Sequence, residues 1–274
     1  MMRLLASLSL FLIAGLALPS AAISEEKPPV AATSPESQNA KEAQDAKAML
    51  MRMAELLAKT QAFSVTIPAN YDVVQDNGEK IEFGEVRHVL INRPERLRIQ
   101  SDFSNGEKLT IYFDGKDLIM FSPKENVFAK LETKGSVDDM LRYVVLDLQT
   151  PIPLAMLFAQ SIKEELEKRI TEIDYVELTN IAGKPADHLA VRTADIDFQI
   201  WLAQGEQPLP LRVVITYKKD VGQPQFRADL SDWNLAPKID ETAMAFSPPQ
   251  GAEAVPFMVS MPAQVAAKKS GGSK

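Results

Sequence analysis

The groups in this chain able to do chemistry are two histidines, a set of arginines and a scatter of acids, with no cysteine. Asp187-His188 has the composition of half a nucleophilic triad, yet neighbours in a strand point to opposite faces and cannot orient one another. His88 sits mid-strand beside Arg87, so both histidines read as structural or surface residues. Two histidines without a thiolate cannot assemble a three-histidine or cysteine-containing zinc set. Asp187, Asp195 and Asp197 lack the dense, glycine-pivoted spacing of a calcium loop. No G-x-S-x-G elbow, P-loop or H-E-x-x-H helix occurs. The expectation is a protein that is not an enzyme and uses no cofactor or metal.

What the sequence offers instead is bulk on apolar elements. Phe83, Ile111, Phe113, Met120, Phe198 and Trp201 fall in strand-like runs. Met53, Leu141, Met156, Leu157 and Phe158 fall in helical ones. Together they read either as a well-filled core or as the wall of a lipid-sized cavity, with Met156, Leu157 and Phe158 as its lid. Arg87 and Arg98 can anchor a ligand head group there, as can Arg142 or Arg192; pairing with surface acids is the ordinary alternative for each.

The elements that must position these residues follow from periodicity. Ser136 to Arg169 is a helical insert between two runs of strands. Val137, Leu141, Val144, Val145 and Leu148 form one stripe, and Pro151 and Pro153 then break the helix. Leu154 to Phe158 is almost wholly apolar, and Ile162 to Ile170 carries Glu and Lys. The proline pair is either a hinge for a lid or a rigid corner. Upstream, Ala46, Met49, Leu50, Met53, Leu56 and Leu57 give a helix from Glu42 whose methionines serve as core filler or as an adaptable apolar wall.

Strands fill the rest. Asp76-Asn77-Gly78 marks a hairpin, and Asn105-Gly106 and Asp114-Gly115 mark further turns in an antiparallel meander. Leu109 to Phe113 and Leu118 to Phe121 are apolar on both faces, so both sides want cover. About eleven strands predict an α+β fold in which a strongly curved antiparallel sheet, an incomplete β-barrel, is wrapped around and capped by helices.

Residues 1–22 read as a signal peptide, with Arg3, the apolar Leu4 to Leu18 and a Ser20-Ala21-Ala22 cleavage site. Residues 23–40 read as a disordered linker, 41–251 as a single half-barrel domain, and 252–274 as a flexible tail. Cleavage near Ala22 leaves a soluble periplasmic protein, and removal of Arg3 takes the net charge from the −7 of the full chain to −8. The acidic balance, without a basic stripe, excludes a general nucleic-acid partner.

Several segments carry a resemblance when taken in order. They are Tyr71-Asp72-Val73-Val74, Arg93-Pro94-Glu95-Arg96-Leu97-Arg98, Tyr112-Phe113-Asp114-Gly115-Lys116 and Pro153-Leu154-Ala155-Met156-Leu157-Phe158. Pro208-Leu209-Pro210, Ile215-Thr216-Tyr217-Lys218 and Leu230-Ser231-Asp232-Trp233-Asn234 complete them. From about Asp45 to Gly251 the chain resembles the predicted periplasmic proteins of domain of unknown function 2092, within the LolA/LolB-like lipoprotein carrier superfamily. The resemblance implies an incomplete antiparallel barrel around a hydrophobic cavity, and relatives that carry lipoprotein acyl chains or other lipids across the periplasm. It also implies a cavity arginine, for which strand position offers Arg87 or Arg98. Where the family is expected to have Cys-His, this chain has Ala186-Asp187 before the retained His188. Three functions then compete: a carrier for a hydrophobic small molecule or lipid, served by a membrane-associated donor or acceptor protein; a protein-interaction or envelope-sensing module with a filled core; and, against the motif absences, a hydrolase needing an acid–histidine pair in a cleft.

Overall fold

The computed structural model describes residues 35–148 and 152–257. The signal segment 1–22, linker residues 23–34, Pro151 and tail residues 258–274 lie outside the described residues.

Helix α1 (Pro35–Lys59) leads into six strands: β1 (Ala62–Val74), β2 (Lys80–Asn92), β3 (Arg96–Phe103), β4 (Lys108–Phe113), β5 (Asp117–Ser122) and β6 (Val127–Glu132). The insert follows as α2 (Val137–Arg142), a π-helical turn over Tyr143–Asp147, α3 (Ala155–Phe158) and α4 (Ile162–Arg169). Then come β7 (Ile170–Ile181), β8 (Lys184–Thr193), β9 (Asp197–Ala203), β10 (Pro210–Thr216), β11 (Gln225–Asp229), β12 (Ser231–Asn234), α5 (Glu241–Met244) and β13 (Glu253–Val255). Helix α1 starts before Glu42, inside the stretch read as linker, and β13 lies in the stretch read as tail.

Local chemistry sets these boundaries. Gly78, at φ 83°, closes the β1–β2 hairpin and donates its N–H to Gln75 O at 2.9 Å; a side chain would be strained in that left-handed conformation. At the start of α2, the Ser136 hydroxyl accepts from Asp139 N at 3.1 Å and the Asp139 carboxylate accepts from Ser136 N at 2.9 Å. This capping box satisfies two backbone donors that the first helical turn leaves free. The Ser136 N–H and, at 2.7 Å, the Ser136 hydroxyl donate to the Asp139 carboxyl and hold it below the usual carboxylate range.

Among the described residues, all thirteen strands join one sheet, in the order β13-β6-β5-β4-β3-β2-β1-β11-β10-β9-β8-β7, with β12 added to β1. Strand β1 is its centre: it pairs with β2 along its whole length, with β11 through Ala69–Tyr71 and with β12 through Ser64 and Thr66. One pair is parallel, β13 with β6. The path is open, because its end strands β7 and β13 do not pair with each other. Strand β7 bears two register breaks, at Ile170/Glu172 and Tyr175/Glu177.

This corrects the expected strongly curved, incomplete barrel of about eleven antiparallel strands. The expectation rested on strands apolar on both faces, which a sheet can hide by rolling up or by recruiting a covering segment. Here a segment does it. The Phe246 ring lies 5.6 Å from Tyr112, 5.5 Å from Phe121 and 5.2 Å from Phe128, covering the second face of β4, β5 and β6. Beside it, Met244 of α5 is fully buried. The helices cover the first face, where Ala46, Leu50, Met53, Ala54 and Leu57 of α1 are all fully buried in the core.

Candidate functional site

Strand register sorts the predicted residues by face. Phe63, Val65, Ile67 and Ala69 of β1 stand opposite Ile91, Val89, Arg87 and Glu85 of β2, and these stand opposite Leu97, Ile99, Ser101 and Phe103 of β3. That set faces the helices. Met53, Phe113, Leu141, Leu157 and Phe158 come together there as buried members of one core cluster, with Ile111, Met156 and Phe198 half-buried against it. Met120 is half-buried on β5. Phe83 projects past the helices at 41% exposure and stacks on Tyr71 at 6.1 Å. Arg98 and Trp201 lie on the opposite face: Arg98 pairs in register with Leu90, and Trp201 with His188 and Arg212.

The insert is held onto the sheet by arginines. Arg93, just after β2, is 6% exposed. Its Nη1 donates to Leu57 O at 3.0 Å, at the end of α1, and to Thr60 O. Its Nη2 donates to Phe158 O at 2.8 Å, at the end of α3. The guanidinium lies 5.4 Å from the Phe63 ring centre, and Nε is buried without a hydrogen-bond partner. Burial lowers the Arg93 pKa, opposed by the charge of Asp138. Asp138 in turn accepts the backbone N–H of Gln160 at 2.8 Å and of Ser161 at 3.3 Å, tying α2 to the start of α4. At the other end of α3, Arg87 Nη1 donates to Pro153 O at 3.3 Å.

Arg87 is itself enclosed. It pairs with the buried Glu85 carboxylate and lies over the Phe226 ring. Tyr217 is pushed up to about 12 by burial, with the nearby Arg87 charge acting the other way. Tyr71 is raised by burial and by Glu85.

The segment between these two arginines is apolar and tightly seated. Leu154, Ala155, Leu157 and Phe158 are all under 10% exposed, and the Phe158 ring lies 6.2 Å from Phe63. Leu154 adopts φ 67°, a left-handed conformation that costs a bulky L-residue on the order of 1–2 kcal/mol. Packing on either side holds it there.

Sequence reading missed Arg93, which entered only as part of the segment Arg93-Pro94-Glu95-Arg96-Leu97-Arg98. Its signal was a permanent charge two residues after the apolar run Val89-Leu90-Ile91. It missed Phe246 as well, an isolated aromatic just before Pro248-Pro249.

Two grooves lie elsewhere. One, of about 250 Å³, runs between Met49 and Arg52 of α1 and the Leu202–Gly205 region. The other, of about 420 Å³, lies on the face away from the insert and includes Arg98. Neither is lined by a residue of the insert. His88 approaches Thr66 Oγ1 at 3.4 Å; His188 contacts Gln199 Oε1 at 3.0 Å and stacks on Trp201 with ring centres 4.0 Å apart. No cluster of three or more metal-ligating side chains occurs among the described residues.

Fold and site thus define an α+β protein: a wide open sheet, α1 to α4 on one face, the short α5 on the other, and an apolar helical insert pinned by arginines. The chain belongs to the DUF2092 family of predicted periplasmic proteins, whose model matches residues 46–258. Among solved structures, it is similar to an uncharacterized conserved protein from Thermus thermophilus, at 11% identity and TM-score 0.46 over 78% of this chain and 100% of that one. It is also similar to lipoprotein LppX from Mycobacterium tuberculosis (13%, 0.44, 72% and 99%). LprF from Mycobacterium bovis follows the same pattern (10%, 0.40, 77% and 99%). No curated protein matches the chain significantly.

Proposed function

We propose that this is a non-enzymatic periplasmic binding or carrier protein for a lipid, a lipoprotein acyl chain or another long hydrophobic molecule, exported with cleavage near Ala22. The observation that carries the reading is the way α3 is held. Its two ends are fastened by arginine hydrogen bonds to the carbonyls of Pro153 and Phe158, and its first turn is entered through the strained Leu154. Bonds to main-chain carbonyls are exchanged readily for water or for other carbonyls, and each is worth only about 1–3 kcal/mol. Lifting α3 away would relax Leu154 and open apolar wall at Phe63, Leu157 and Phe158. The seated insert is then the closed, unloaded state. A membrane-associated donor or acceptor protein would supply or take the cargo.

Native mass spectrometry after gentle purification, with organic extraction, tests the reading, alongside uptake of a fluorescent fatty acid by the wild type and by R93Q. Co-purifying lipid, or faster uptake by R93Q, is the expected result. A protein that is consistently empty and takes up no probe in either form would sink the carrier. A second reading, an interaction or envelope-sensing module with a filled core, draws support from the close Phe63–Phe158 contact and the 2% exposure of Phe158.

A further inference from the structure

The larger groove lies on the face away from α1 to α4. Its floor follows the register: Ser64 stands beside Leu90 and Leu90 beside Arg98, while Thr66 stands beside His88 and His88 beside Gln100. The wall is the stretch after β12, ending at Pro237 and Lys238. The groove's volume of about 420 Å³ is within the range of small-molecule sites.

Arg98 is held ready in it. Its guanidinium lies 5.8 Å from the Tyr112 ring centre, and Nη2 donates to the neutral Gln100 Oε1 at 3.3 Å. Its Nε is buried with no hydrogen-bond partner, and among the described residues Arg98 meets no carboxylate. A cation fixed in place with donors to spare has already met the ordering cost that an anion would otherwise impose. Lys238 adds a second positive charge from the wall, and Thr66 and His88 add a hydroxyl and an imidazole from the floor. The one acid in the lining, Asp232, is exposed, as Lys238 is, and accepts the hydroxyl of Ser231 at 3.1 Å; Asp102, outside the lining, lies near Gln100 and His88 and is paired with Lys108. In the lining itself Arg98 and Lys238 outnumber Asp232, on a chain of net charge −7.

We propose that the groove binds a phosphate group, carried either by a small organic molecule or by a lipid head group. Arg98 is the principal donor, with Thr66, His88 and Lys238 around it. Donors rising from three strands and a wall suit a tetrahedral dianion, and charge-assisted bonds from arginine are the strong ones.

Two probes separate the sources. The first is glycerol 3-phosphate, titrated into the full chain while the backbone amide resonances of Ser64, Leu90 and Gln100, which every variant keeps, are followed by NMR. The second is co-sedimentation with phosphatidylglycerol vesicles, with phosphatidylcholine vesicles for comparison. A saturable shift with glycerol 3-phosphate, weakened about tenfold or more in R98Q and severalfold in K238Q, supports the site and a free ligand. Sedimentation with phosphatidylglycerol alone, lost in both variants, supports the site and a head group. No saturable response to either probe, or a response that both variants keep, overturns the proposal. K238Q guards against loss of fold in R98Q, which circular dichroism checks directly.

Discussion

The two faces of the sheet hide apolar surface by opposite means. The helix-facing side is sealed by long, continuous cover: α1 contributes an unbroken stripe from Ala46 to Leu57, and α3 adds Leu157 and Phe158. The other side is mostly a ladder of charge. Arg227 reaches Asp72 and Glu82, Arg212 reaches Asp229, and Arg192 reaches Asp174. At β4 to β6 that side turns apolar, and there the Phe246 ring supplies the cover. A wide sheet therefore need not roll up to protect both sides. Each patch of strand is matched by whatever segment the chain can bring to it.

Three substitutions probe this contrast. Phe158→Ala removes a ring from the sealed face and should cost about 4 kcal/mol in urea unfolding, because a buried cavity relaxes little. A cost below about 1 kcal/mol would mean that α3 is only loosely seated, a result that favours the carrier reading. Phe246→Ala, on the other side, should cost about 2 kcal/mol, reflecting a half-buried ring with three aromatic neighbours. It should also raise the binding of a hydrophobic dye, since Tyr112, Phe121 and Phe128 lose their cover. An unchanged dye signal would show that this patch needs no lid.

The smallest effect belongs to the charged ladder. Burial alone would raise the Asp72 carboxyl, but the hydrogen bonds from Arg227 and Gln225 N outweigh it and hold the pKa below the ordinary range. A depressed pKa in the folded state means the stabilisation is present above the unfolded value of about 4 and is lost as pH falls through the folded one. Asp72→Asn should cost about 1 kcal/mol at pH 7, a figure reduced by the partial exposure of Arg227. The gap to wild type should close as the pH drops below about 4. A gap that persists at pH 2 would assign the effect to packing.

Much of this was legible in the residues. Asp76-Asn77-Gly78 gave the hairpin, Ser136 gave the start of the insert, and the spacing of Ala46, Leu50, Met53 and Leu57 gave the buried stripe of α1. Side-chain parity was legible as well: Leu97, Ile99 and Ser101 alternate with Arg98 and Gln100, so the chain itself places Arg98 away from the core. What could not be read is the identity of the cover. A strand pattern says that Tyr112 and Phe121 need a partner, but nothing local says that Phe246, more than a hundred residues on, provides it. Curvature was illegible for the same reason, since strand number limits a sheet's width without fixing how it bends. Arg93 stayed hidden because a buried arginine serving carbonyls leaves no acidic counterpart in the sequence.

An unclosed ladder leaves two lips where a foreign peptide could zip on. At one, β13 offers only three residues, too short a run for a stranger to grip. At the other, β7 is long, and the exposed Val176 and Leu178 would make it sticky. Its two bulges throw the bonding groups out of step, and Glu172 and Glu177 set negative charge along the rim. Two copies meeting lip to lip would find mismatched teeth and like charges, so the ribbon ends without seeding a fibre.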